Sequence, residues 1–445
     1  MKKLLSAVVL SCLTFSAMQA NAASVDEVRS TIEQQYVEEL SPAFYEATSI
    51  EGMLETLDPY SSYFTRQEYE QYIGEIDLQS VGIGIYLTEH KDGVLITDVI
   101  EGGPAEQAGI TAGTIILEAN GTSLAGLSIE AASSYLKGGV GSVVKLTILT
   151  PAQQITSLTL TRQKFSAPQY EASLLHGNVG YIALYTFSEN ADSLMRRALS
   201  DLRAQGATSF IVDLQGNGGG YVDVAERIIG MFTNAKVAYV LQDRSGEYVY
   251  PSVGTLNKFP QNTRLLIDEY SASASEMMAA ALQDQQAATL YGHTSYGKGS
   301  MQTFIGFRDG SQLKLTFAKF TGPNKQPIHD VGVTPDIETD YPLQDAHFDA
   351  LVESGQYVVQ PTVTKTSDFA SLHIVHKQIV VNVQDNYTFI ELGTNKVIPF
   401  DAHKSGKRYA RLTLSEQLQK GHAYAFITKP TATQKGKIQK VVIEQ

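Results

Sequence analysis

The chain is 445 residues long, 43% hydrophobic, with a formal net charge of −13. That length allows roughly three domains with ample cores, and the acidic balance argues against nucleic acid or an anionic membrane as the main partner. Nine histidines are scattered, only His373 and His376 stand close, and no zinc-type spacing occurs, so no metal and no cofactor is expected.

Residues 1–22 read as a secretory signal: Lys2 and Lys3, an apolar stretch over residues 4–18, then Ala20-Asn21-Ala22 as the cleavage site. The expectation is export to the periplasm or beyond, leaving a mature protein of charge −15. Cys12, the only cysteine, lies inside this signal. A lipoprotein box at Val9-Leu10-Ser11-Cys12 is the competing reading; leucine is awkward before Ser11 and the apolar run ahead of it is short. Cleavage after Ala22 leaves no thiol and no disulfide. No later stretch is long and apolar enough to span a bilayer as a helix.

Residues 23–77 read as a helical segment. Val25, Val28, Ile32 and Tyr36 mark one apolar face, Met53, Leu54 and Leu57 another, and Asp58-Pro59 breaks the pattern. On chemistry alone, residues 57–64 need be no more than a packed corner.

From residue 78 to 162 the texture changes to short strands and glycine turns. Ser80-Val81-Gly82-Ile83-Gly84 is a glycine-spaced loop entering a strand, Gly103-Pro104 opens a short helix, and a second helix runs over residues 128–137. Strands are expected over residues 115–118, 143–149 and 157–161. This unit resembles a PDZ domain, although Thr114 stands where many PDZ domains carry Asp. The resemblance implies binding of an extended C-terminal peptide at a sheet edge, with Val81, Gly82, Ile83 and Gly84 as the loop that captures its carboxylate.

Residues 163–340 read as α/β. A strand at 179–184 precedes an amphipathic helix at 190–205, with Leu194, Ala198, Leu199 and Leu202 inward. A buried strand at 209–214 runs into Gln215-Gly216-Asn217-Gly218-Gly219-Gly220 and then a helix over residues 221–232. Glycines between strand and helix let backbone approach a ligand closely. A second apolar strand, 264–268, leads to three serines, Ser271, Ser273 and Ser275, and a helix rich in Ala and Met. Strand, sharp turn, serine and helix expose a nucleophile beside free backbone N–H groups. Ser273-x-x-Glu276 is equally a capping box.

Further on stand Gly297-Lys298-Gly299 and Gln302. Gly292-x-x-x-x-Gly297-Lys298 fits a phosphate-binding loop, but that motif needs Ser or Thr after the lysine and then a helix. Here Gly299 follows, and residues 301–305 read as a strand.

Joined in order, residues 24–340 resemble the carboxyl-terminal processing (tail-specific) serine proteases. The resemblance rests on the Asp58-Pro59 corner, the inserted PDZ unit, Gly180-Tyr181-Ile182, Asp213-Leu214-x-x-Asn217-x-Gly219-Gly220, Ser271 to Glu276, Lys298 with Gln302, and Gly332 to Asp336. It implies a multidomain α/β protein with a ClpP/crotonase-like core over residues 163–340. Ser273 matches the nucleophile, with Ser271 and Ser275 as alternatives, Lys298 the general base, and Gln302 the residue that positions it. A base must be unprotonated, so Lys298 has to be partly desolvated. Four residues along a presumed strand put Gln302 on the lysine's face. Ala274 and Gly219 or Gly220 would supply the oxyanion N–H groups. A Ser–His–Asp triad through His293 or His329 is the competing assignment.

Two positions depart from the family. Gln215 replaces the usual arginine and Gly218 the usual proline, which puts loop rigidity and the mode of activation in question. The implied partners are polypeptides with accessible C-termini, an activator or adaptor protein, and a second copy of the chain. Residues 341–445 lie outside the resemblance and read as a small β-rich domain, with strands near 378–383, 387–392, 408–414 and 440–443. The alternative function is a non-proteolytic PDZ peptide-binding or chaperone protein on an inactive protease scaffold.

Overall fold

The computed structural model describes residues 23–365, 370–375, 386–404, 409–431 and 433–443. The signal with Cys12, and the strand expected at 378–383, lie outside the described residues. The chain forms two compact units, one made of residues up to Gln71 together with Gln302–Phe317, the other of Tyr72–Met301 with Ala318–Gln445.

The smaller unit begins with helices Val25–Gln35, Pro42–Glu46 and Ile50–Leu54, whose N-caps Ser24, Ser41 and Ser49 each accept a hydrogen bond from a first-turn N–H. Val28, Ile32, Tyr36, Phe44 and Met53 are buried against Leu313 and Leu315. The expected apolar face is therefore a core face, and Leu313 and Leu315, far downstream in the chain, complete it. Strand Ser62–Phe64 pairs antiparallel with residues 312–314.

The α/β core of the larger unit is a six-stranded sheet. Its order is Tyr170–Leu175, Val179–Leu184, Ser209–Asp213, Thr263–Ile267, Ala288–Gly292 and Ile337–Glu338. The first pair is antiparallel and the others parallel, as short strands alternating with helices require. Strand Thr263–Ile267 is buried at every position, which explains the apolar run Leu265-Leu266-Ile267, while buried Arg264 pairs with Glu353 at 2.6 Å. In helix Ala191–Ala204 the inward positions are Met195, Ala198, Leu199 and Leu202. Leu194, expected inward, is half-buried, because Met195 keeps the i, i+3, i+4, i+7 spacing to the other three.

The expected PDZ unit is a sheet ordered Ile85–His90, Gly93–Val99, Ile115–Ala119, Val143–Leu149 and Ile155–Thr161, with helices Pro104–Gln107 and Ile129–Leu136. Beyond the α/β core, helix Pro342–Glu353 opens the C-terminal segment. Ala346 and Ala350 pack on the core sheet, while Leu351 meets Ile390, Leu392 and Ala425 of the C-terminal strands. Buried His347 ties both sides: its Nε2 bonds the His176 carbonyl at 2.8 Å, and its Nδ1 accepts the Gly393 N–H at 2.9 Å. The remainder is β-rich, as expected. One sheet is ordered Tyr357–Lys365, Gly436–Ile443, Ala423–Thr428 and Tyr387–Glu391, and a second Ser371–Val375, Tyr409–Leu414 and Phe400–Lys404.

Candidate active site

Three loops at the C-terminal ends of the parallel strands make the site, where α/β sheets generally bind ligands. The first follows Thr263–Ile267. The Asp268 carboxylate accepts the N–H groups of Tyr270 and Ser271 and turns the chain sharply. The helix Ala274–Asp284 then begins, and Ser273 is its N-cap, at φ 58 and ψ −112. A positive φ is costly for a residue with a side chain, of order 1–3 kcal/mol, and such strain gathers at functional sites. Among residues 271–282 only Ser273 is not buried. A helix buried on all sides needs small or flexible apolar residues throughout, hence its Ala and Met.

The three serines differ in their bonds. Ser271 Oγ donates to the Leu214 carbonyl at 2.8 Å and accepts from the Asp268 N–H. Ser275 Oγ donates to the Asn217 carbonyl at 2.8 Å. Both are fully buried and serve to tie the elbow to the neighbouring loop. Ser273 carries the capping-box pattern with Glu276, whose Oε2 accepts the Ser273 N–H at 2.8 Å.

The second loop is the glycine run after Ser209–Asp213. Asn217 is fully buried. Its Nδ2 donates to the Leu184 carbonyl, its Oδ1 accepts the Gly219 N–H at 2.9 Å, and its carbonyl accepts the Ala272 N–H at 3.0 Å. Gly219 lies against the elbow: a Cβ there would stand 2.8 Å from the Ala272 carbonyl and 2.9 Å from Ser273 Cβ. Only glycine fits. Gly220 bridges to Phe187, and that bridge uses the Gly219 carbonyl and the Tyr221 N–H, which turns the Gly220 N–H away from the Phe187 strand.

The third loop carries Lys298. It is half-buried between buried Gly297 and Gly299. The strand Ser300–Gly306 begins two residues after the lysine, so the expectation that Lys298 and Gln302 share a strand face does not hold: Lys298 lies in the loop. Gly299 is packed so closely that a Cβ would reach 2.5 Å from His329 N. A strand rather than a helix follows, which excludes the phosphate-loop geometry.

Glu276 joins the first and third loops. It is fully buried, and its carboxylate accepts four hydrogen bonds. Ser273 N–H and Lys298 N–H both reach Oε2 at 2.8 Å, while Gly297 N–H and Ser295 Oγ both reach Oε1 at 2.6 Å. One oxygen atom therefore holds the serine and lysine main chains beside each other. A buried carboxylate is tolerable only with such saturation, and its place in the first helical turn adds the favourable end of the helix dipole.

His293 and His329 are oriented differently from a triad base. In each, Nε2 faces an exposed aspartate, Asp340 at 3.2 Å and Asp330 at 3.8 Å. A triad base turns that nitrogen to the serine and Nδ1 to a buried carboxylate.

Beneath the glycine run, Asp213 accepts the Gln215 N–H at 2.9 Å and the Tyr181 hydroxyl at 2.8 Å. Burial pushes its carboxyl up to about 6, with nearby Asp268 adding to the rise and the two hydrogen bonds opposing it. Gln215 brings no positive charge where the family carries arginine. A carboxyl raised in the folded state binds its proton more tightly than in the unfolded chain. Stability is thus fullest below about pH 4 and falls as pH rises through about 6, by roughly 2–3 kcal/mol. Asp213→Asn should raise the melting temperature at pH 8 by a few degrees and leave it nearly unchanged at pH 4. Equal shifts at both pH values would count against the charge as the cause.

In the PDZ unit, Val81, Gly82, Ile83 and Gly84 line a groove of about 240 Å³, closed by Tyr86, Ile100, Ser133, Leu136 and Phe165. Gly84 takes φ 76, and its carbonyl accepts the Ile100 N–H. Val81 and Gly82, expected in a loop, instead end the strand Gln79–Gly82, which pairs with Gln163–Ser166, and only Ile83 and Gly84 form the turn beyond it.

Among candidate residues, Asn217 entered the sequence reading only inside a motif and Glu276 only as a helix cap. A glutamate directly ahead of the apolar run Met277 to Leu282 is the available signal for the latter.

The profile of peptidase family S41 matches residues 178–339, and that of the PDZ domain residues 95–150. The carboxy-terminal processing protease CtpB of Bacillus subtilis is 32% identical over 326 residues, covering 72% of this chain and 68% of its own length. CtpA of the same organism is 29% identical over 355 residues, 76% of each chain. A solved photosystem II D1 C-terminal processing protease aligns over 74% of this chain and 95% of its own at 23% identity, with a TM-score of 0.45. The order of motifs, the two matched profiles and the CtpB likeness over 72% of this chain lead to one conclusion: this chain belongs to peptidase family S41, as a carboxy-terminal processing serine protease with a PDZ domain.

Proposed function

We propose that the chain is an exported endopeptidase in which Ser273 is the nucleophile, Lys298 the general base and Gln302 the residue that positions the lysine. Ser273 Oγ attacks the scissile carbonyl carbon as its proton passes to Lys298 Nζ. The tetrahedral oxyanion is received by the Ala274 N–H, the first of the elbow helix, and by a glycine-run N–H. Of the two candidates there, Gly220 is favoured, because the Gly219 N–H is engaged by Asn217. The C–N bond then breaks, the lysine proton leaves with the amine, and water repeats the sequence to free the acid and regenerate the serine. The observation that carries this reading is Ser273 itself: half-exposed, strained, and flanked by serines whose hydroxyls are spent on backbone carbonyls. Cleavage of an unfolded polypeptide by mature protein, beside Ser273→Ala and Lys298→Ala, is the test.

The PDZ groove supports a role in receiving substrate C-termini and so directing cleavage. A peptide with a free C-terminus should bind at least about tenfold tighter than its amidated form, because the loop N–H groups recognise a carboxylate. Ser133→Tyr, filling the groove from a half-buried helix position, should weaken both. Equal binding of the two peptides by fluorescence anisotropy would remove the C-terminal reading. Export rests on the signal-like residues 1–22, and mass spectrometry of the exported protein tests cleavage after Ala22.

A further inference from the structure

The corner at Asp58, which the sequence alone leaves as packing, is wired to Gln302. Gln302 Nε2 donates to Thr316 Oγ1 at 3.1 Å, and Thr316 Oγ1 donates to Asp58 Oδ1 at 2.9 Å. Thr316 is buried. The Asp58 carboxylate also collects the Tyr60 N–H at 2.8 Å, the Ser61 N–H at 3.1 Å and the Ser61 hydroxyl at 2.7 Å. Ser61 Oγ in turn accepts the Thr316 N–H at 3.1 Å. The Asp58 N–H is bonded to the Tyr36 hydroxyl at 3.0 Å, so the corner is anchored to the helical core as well.

We infer that Asp58, acting through Thr316, sets which way the Gln302 amide faces. The argument is one of proton direction. An ionised carboxylate only accepts, and a hydroxyl has one proton. With that proton committed to Asp58, the Thr316 oxygen meets Gln302 with a lone pair. The amide must then turn its NH₂ to Thr316, and Oε1 becomes the end that accepts. A glutamine placed to hold a lysine base has to offer an acceptor to the amine; the flipped amide would set donor against donor. Side-chain amides flip at little intrinsic cost unless a network fixes them, and the Asp58 corner supplies that network. Asp58 and Thr316 are on this view positioning residues, and the inference rests on the reading of Gln302 as the partner of Lys298.

The test is steady-state cleavage of an unfolded polypeptide by the mature chain and its variants Gln302→Ala, Thr316→Val, Thr316→Ser and the double variant Gln302→Ala/Thr316→Val, with thermal melting of each. Thr316→Val keeps the shape and removes the hydroxyl. It should lower kcat by about 10- to 100-fold, the scale of a small misplacement of a catalytic group, with KM unchanged. Thr316→Ser should restore kcat, and Thr316→Val should cost nothing further once Gln302 is alanine. Wild-type kcat in Thr316→Val, failure of the serine to rescue, or equal losses in both backgrounds would overturn the relay while leaving the role of Gln302 intact. Full activity in Gln302→Ala would instead remove that role, and the relay with it.

Discussion

Ser273→Ala should abolish peptide-bond cleavage, by at least about 10⁴-fold, while melting within a degree or two of the parent. Removing the nucleophile of a serine protease costs on the order of 10⁴–10⁶ in kcat, because the catalytic groups act as a unit. The small effect on stability follows from local structure. The N-cap is held through its backbone N–H by Glu276 Oε2 at 2.8 Å. Alanine keeps that bond and the same strained backbone. Ser271→Ala and Ser275→Ala should behave in the opposite way. Their hydroxyls satisfy the buried Leu214 and Asn217 carbonyls, so each should destabilise by about 1–2 kcal/mol and retain part of the activity. Lys298→Met, which keeps most of the aliphatic stem, should be as inactive as Ser273→Ala. Cleavage surviving in Ser273→Ala would hand the nucleophile to another group, and cleavage surviving only in Lys298→Met would do the same for the base.

The contrast among the three serines marks where sequence reasoning stops. Spacing and family likeness single out Ser273, but the reason the other two are unsuitable lies in partners more than fifty residues away, at Leu214 and Asn217. Periodicity is a local signal and carries no information about such bonds. The sheet and its helices were legible because alternation of apolar strands and helices is local: Thr263–Ile267 and Ala274–Asp284 stand where the pattern places them. Lys298 shows the limit of extending that logic. Apolar texture after residue 300 gives a strand, whereas the two glycines flanking the lysine hold it in a loop.

Acidic residues were the least legible. Asp58 at a proline turn reads as a turn former, and locally it is one, accepting the Tyr60 and Ser61 N–H groups. Its second partner, Thr316, stands 258 residues further along the chain. The Pro342–Glu353 helix is a similar case. It opens a segment that otherwise reads as strands, and its identity as a two-sided connector depends on surfaces, the core sheet and the C-terminal strands, that a one-dimensional reading does not place side by side.

Glu276 is the position where one substitution should reach stability and activity together. Glu276→Ala leaves the Ser273, Gly297 and Lys298 N–H groups and the Ser295 hydroxyl without their acceptor in a fully buried site. At about 1–3 kcal/mol for each unsatisfied donor, part of it recovered by water entry, the loss is on the order of several kcal/mol. Glu276→Gln is the sharper experiment because volume is kept. Its NH₂ can replace Oε2, facing the Ser273 and Lys298 N–H groups, or Oε1, facing Gly297 N–H and Ser295. The second arrangement is the less costly, since the Ser295 hydroxyl can turn to accept. Even so the Gly297 N–H meets a donor, and Ser295 Oγ already accepts the Val333 N–H at 2.7 Å. The lysine loop must shift to relieve this, and a shift near 1 Å costs about 10²-fold in rate. Glu276→Gln should therefore lose roughly 100-fold in kcat for a thermal loss of only about 2 kcal/mol. A glutamine variant with lowered melting temperature and full kcat would reduce Glu276 to a packing element; a variant with full stability and no activity would place the carboxylate in the chemistry itself. The intermediate result is the one the geometry requires, because the same oxygen accepts both the Ser273 and the Lys298 N–H.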